Sequence, residues 1–120
     1  TSASKAATPP ASVERAPAQL RAGIERFVTG RYRDALDALA TVQSSPAWNA
    51  QAALFRAAAS FSLYRTTQEP QWRARALDAA RQGARLDPSL QVDDQLLSPA
   101  FRRFFVDAVR SEAVAAGPSR

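Results

Sequence analysis

The stretch from Ala47 to Tyr64 carries apolar side chains over too wide an arc to lie on a surface. Trp48, Ala52, Phe55 and Ala59 recur at helical spacing, and Leu54, Ala58 and Phe61 form a second stripe on the adjacent face. A helix apolar over so broad an arc is central and covered on two sides. The run Ala57-Ala58-Ala59-Ser60 has only small side chains, which lets neighbouring helices come close. The chain must therefore wrap other helices around this segment, and the rest of the sequence has to supply them.

Four further helical segments fit that requirement. Pro17–Thr29 places Leu20, Ile24, Phe27 and Val28 on one face, opens on a proline suited to a first turn and stops at Gly30. Tyr32–Gln43 carries the stripe Tyr32, Ala35, Leu36, Leu39 and Val42, and Ser44-Ser45-Pro46 ends it. After the polar loop Thr66–Pro70, Gln71–Leu86 sets Trp72, Ala76, Ala80 and Ala84 along one face, with Arg75, Asp78, Gln82 and Arg85 opposite. Asp87-Pro88-Ser89 closes it, and a connector from Leu90 to Leu97 carries Asp93 and Asp94. Ser98 as N-cap and Pro99 at the first helical position start a last helix to about Val114, with Phe101, Phe104, Phe105, Ala108 and Val109 inward. Short connections after the first and third helices require antiparallel neighbours. The expected fold is all-α: two antiparallel hairpins and a C-terminal helix.

Of the 120 residues, 17–114 make up the expected helical domain. Residues 1–16 are small, polar and proline-bearing, with Val13 the one sizeable apolar side chain, and read as a flexible linker; residues 115–120 read as a disordered tail. The chain begins at Thr1, so a processed or truncated product is expected, with any targeting segment or N-terminal membrane anchor cut away. No apolar run approaches the roughly 20 residues that span a bilayer.

The absence of His and Cys removes the commonest general base, the commonest metal ligand and any thiol nucleophile. Asp93 and Asp94 are the one adjacent acidic pair, and neighbours in a loop point apart. Asp87, Asp93 and Asp94 lack calcium-loop spacing, and the few glycines stand alone at turns rather than in a phosphate-binding loop. No catalytic residue, cofactor, metal or small-molecule substrate is expected. The net charge is +5, almost all of it Arg, with Lys5 the single lysine. Abundant Ala and Arg with little Lys is the composition of a GC-rich genome, and net charge speaks to partners rather than fold. Arg73, Arg75, Arg81 and Arg85, with Arg56 and Arg65, make nucleic-acid binding the competing reading, but they alternate with Glu69 and Asp78 and the aromatics sit at core spacing.

The first hairpin reads Leu20…Gly23-Ile24…Phe27…Gly30-Arg31-Tyr32…Ala35-Leu36…Leu39, and the second carries Trp48, Ala52 and Phe55 and closes on Ala84-Arg85-Leu86-Asp87-Pro88. This pattern, with its spacing near the family's 34 residues, resembles the tetratricopeptide repeat. The last helix resembles the terminal helix that covers such an array. Asp87-Pro88…Ser98-Pro99…Phe101 is also similar to the tail of helical-repeat proteins of bacterial cell envelopes.

The resemblance implies a concave face lined by the first helices of successive hairpins. Here that face would carry Arg21, Glu25 and Val28 from one, and Asn49, Ala53, Arg56 and Ser60 from the other. Arg21, Asn49 and Arg56 would donate to carboxylates or backbone carbonyls of an acidic protein or peptide. The expected function is a scaffold or adaptor in a bacterial, envelope-associated assembly, periplasmic or else cytoplasmic. Two repeats fall short of the usual three, so the last helix, a partner or the rest of a longer protein is expected to complete the fold.

Overall fold

The computed structural model describes residues 16–90, 92 and 96–116, and among them the chain is all-helical with no strand. The helices are α1 (Ala18–Val28), α2 (Tyr32–Leu39), α3 (Pro46–Thr67), α4 (Pro70–Leu86) and α5 (Pro99–Ala116). Residues 1–15 and 117–120 and the Asp93-Asp94 pair lie outside the described residues. Ala16, at the end of the expected linker, is buried in the core, and α5 runs on to Ala116, into the expected tail.

The punctuation follows local chemistry. Gly30 takes φ +85°, the left-handed conformation that a Cβ would disfavour. The Gly30 N–H donates to Phe27 O at 3.0 Å and the Arg31 N–H to Arg26 O at 2.8 Å, the paired bonds of a Schellman stop. Ser98 caps α5, its Oγ accepting from Phe101 N at 3.1 Å. Helix α2 ends four residues before the expected Gln43. Thr41 Oγ1 donates back to Ala38 O at 2.8 Å and Val42 N to Leu39 O at 3.2 Å, which tightens the chain into a turn. Helix α3 runs three residues beyond Tyr64. The Thr66 and Thr67 hydroxyls bond to the Ser62 and Leu63 carbonyls, and Gln68, at φ 63°, ends the helix.

Helix α3 is the centre of the fold. Ten of its residues are buried, among them Ala50, Leu54, Phe55 and the Ala57–Ser60 run. Its most extensive partner is α4, where small residues permit close approach: Gly83 sits where an added Cβ would lie 3.3 Å from Ala50 O and 3.4 Å from the Ala53 side chain. On the other side α1 and α2 meet at Gly23, where a Cβ would overlap the Leu39 side chain. Helix α5 joins through aromatics: Phe61 of α3 stacks 5.7 Å from Phe101 and 4.8 Å from Phe104, centroid to centroid. Trp72 is buried against the core, as its place on the inner stripe of α4 requires.

Candidate functional site

Among the described residues, two concave regions that border α3 lie on opposite faces of it. At 100° per residue, Ala58 and Ser62 point about 200° away from Arg56 and Ser60.

The first is a cleft of about 280 Å³ between α1, α3 and α5. Phe27 and Val28 come from the last turn of α1, Tyr32 from the first turn of α2, Ala58 and Ser62 from α3, and Phe101 from α5. The Gly30 stop brings Phe27 and Tyr32 together at 5.7 Å, and Phe27 packs edge-on against Phe55 at 5.7 Å. The floor is open because Ala58 and Ser62 are small. Val28 stands at the rim and is 57% exposed, unusual for a large apolar side chain in this chain. Tyr32, Ser62 and Ser98 supply hydroxyls, and the described lining contains no carboxylate, Lys or Arg. Chemically it is a surface for an apolar group with hydrogen-bonding hydroxyls around it.

The second is a cavity of about 290 Å³ between α2, α3 and α4, lined by Leu36 and Ala40, Arg56 and Ser60, and Arg75, Asp78 and Gln82. Arg56 Nη2 donates to Gln82 Oε1 at 3.0 Å, while Arg56 Nε is buried without a hydrogen-bond partner. Burial pushes the Arg56 guanidinium below its ordinary pKa, because the charged form is partly desolvated.

The structure distributes the residues singled out by sequence rather than gathering them. Arg21 and Glu25 are exposed on α1, and Val28 rims the first cleft. Arg56 and Ser60 line the second cavity, and Ala53 is fully buried. Asn49 is engaged within the chain: its Oδ1 accepts from Ser44 N at 2.9 Å and its Nδ2 donates to Ser44 O at 3.1 Å, which ties the loop to the start of α3. Phe27, Tyr32, Ala58, Ser62 and Phe101 were not among those residues, yet they share the cleft with Val28. No sequence signal singled out Ala58 and Ser62, because small residues recur all along α3. Among the described residues no cluster of acidic side chains suits a metal ion.

Compared with family models, curated proteins and solved structures, the chain matches none. The reading of this site therefore stands on its geometry.

Proposed function

We propose that this chain is a non-catalytic protein-interaction module, a scaffold or adaptor similar to tetratricopeptide repeats, in which α1–α2 and α3–α4 are antiparallel hairpins and α5 covers the second. Support for the pairing comes from contacts between neighbouring helices: between the start of α3 and the end of α4, at mid-helix, and across the α1–α2 turn. Gly83 lies against Ala50 and Ala53, and Arg56 reaches Gln82. Gly23 lies against Leu39, and Phe27 against Tyr32.

The observation that carries the functional reading is the cleft at Val28. At about 280 Å³ it lies below the roughly 300–1,000 Å³ of sites that enclose a small molecule. It has the size to anchor a side chain of a partner protein, and its described lining holds no carboxylate, Lys or Arg to move a proton. The partner segment presents an apolar side chain to the aromatic walls and backbone groups to the hydroxyls. A bacterial envelope setting rests on the Asp87-Pro88…Ser98-Pro99…Phe101 resemblance alone. No helix among the described residues is long and apolar enough to cross a membrane.

The test is affinity capture from the native source with the unaltered chain and with Val28→Asp. Val28 is more than half exposed, so the substitution leaves the fold intact. A desolvated carboxylate in the cleft should weaken the captured complex at least tenfold, about 1.4 kcal/mol. Equal capture by both proteins, or retention of a small molecule and no protein, contradicts the proposal.

A basic nucleic-acid-binding domain is the second reading, favoured by two arginines on one aromatic cluster. Arg65 lies 5.7 Å from the Phe61 ring and Arg73 6.0 Å from the Phe104 ring. Affinity for single-stranded DNA or RNA that falls steeply with salt would support it over protein binding.

A further inference from the structure

Three described arginines, Arg56, Arg81 and Arg102, bury an Nε without an acceptor, and Arg56 is the one that lines a cavity between three helices. It is half-buried on the floor of the cavity between α2, α3 and α4, and the partner that meets it there is the neutral amide oxygen of Gln82. Its Nε is buried and receives no acceptor. Desolvating a cation without an anionic partner is unfavourable, so such a group is poised to gain from one.

The geometry of the guanidinium says which anion. Nε and Nη2 lie on one edge of the plane, the edge that takes both oxygens of a carboxylate in two parallel N–H···O bonds. In this structure Gln82 meets the Nη2 half, while the Nε half is covered by protein atoms and meets no acceptor. Gln82 is exposed and its side chain is free to rotate aside. A second guanidinium, Arg75, also lines the cavity and is braced there. It lies 4.9 Å from the Trp72 ring, whose Nε1 is in turn anchored to Glu69 Oε1 at 3.0 Å. Arg33 of α2 lies over the same ring at 5.2 Å. Among the described residues of the lining, Asp78 is the one carboxylate. Two arginines against one aspartate leave a single positive charge, which matches a carboxylate better than a doubly charged phosphate.

We propose that this cavity is a carboxylate-binding site, in which Arg56 takes both oxygens on its Nε–Nη2 edge after Gln82 moves aside, and Arg75 adds the second positive charge. The site lies on the face of α3 opposite the Val28 cleft and does not depend on what that cleft binds.

The experiment follows the Arg56 Nε–Hε resonance of the full chain by ¹⁵N NMR, assigned by its loss in Arg56→Gln. The probes are sodium acetate, a glutamate blocked at both backbone ends, and inorganic phosphate, at ionic strength held constant with chloride. A saturable shift with acetate and blocked glutamate, at concentrations where phosphate and chloride give none, is the expected result. Blocked glutamate saturating at lower concentration than acetate identifies the acidic side chain of a polypeptide as the source, and equal saturation identifies a free carboxylate. Arg75→Gln, which keeps the Arg56 resonance, should weaken the saturable shift about tenfold. A shift that never saturates, one that phosphate produces at lower concentration, or an Arg75→Gln protein with unchanged affinity overturns the assignment.

Discussion

Leu54→Ala is expected to destabilise the fold by about 3 kcal/mol, within the 2–5 kcal/mol typical of a fully buried leucine. Leu54 is 0% exposed and sits midway along α3, the helix that packs against α1, α2 and α4 and meets α5 through Phe61. Removal of the leucine side chain leaves a cavity within the core cluster. Single domains of this size are stable by only about 5–15 kcal/mol, so the loss should be plain as a lowered urea midpoint with an unchanged slope. Val106→Ala, at a position 47% exposed, is the control and should change stability by no more than about 0.5 kcal/mol. A Leu54→Ala effect below about 1 kcal/mol would mean that α3 is not the central element.

Phe101→Ala is expected to cost about 3–5 kcal/mol. Phe101 is 2% exposed and its ring lies 5.7 Å from Phe61, 6.1 Å from Phe104 and 6.2 Å from Phe105. The substitution separates two views of α5. If α5 covers the α3–α4 pair as an integral part of the core, its loss of anchorage lowers the single unfolding transition. If α5 is an appendage, the midpoint barely moves and helical signal is lost in a separate, earlier step. The first outcome is expected, because without α5 the Phe61 face of α3 would lose its aromatic cover. Phe101 also forms a wall of the Val28 cleft, so the variant should lose partner binding along with stability.

Most element positions were legible from local chemistry. Gly30, Ser45-Pro46 and Ser98-Pro99 mark their boundaries with residues whose backbone preferences act within a few positions. Two of the boundaries that moved, the ends of α2 and α3, did so through side-chain hydroxyls. Thr41 turned the chain after α2, while Thr66 and Thr67, which read as loop formers, bonded to carbonyls of the preceding turn and lengthened α3. The site was less legible because it depends on the rotation of α3 about its own axis. With apolar side chains on nearly every face of α3, periodicity gives no preferred direction, and only tertiary packing decides that Ala58 and Ser62 meet α1 while Arg56 and Ser60 meet α2 and α4. Val28 was legible on α1, whose apolar face is narrower. Asn49 has the composition of a binding residue, and its engagement with Ser44 depends on the path of a loop that no residue pattern specifies.

The most direct test of the account places a photo-crosslinking amino acid at Val28 and, separately, at Val106, the two large hydrophobic positions that the described structure leaves exposed. Each protein is irradiated in the native source and its adducts are identified. The account predicts one protein partner crosslinked from Val28, suppressed by excess unlabelled chain and not by excess unlabelled Val28→Asp, with no specific adduct from Val106. A specific partner crosslinked from Val106 and none from Val28 would contradict the claim that the cleft between α1, α3 and α5 is where this protein holds its partner.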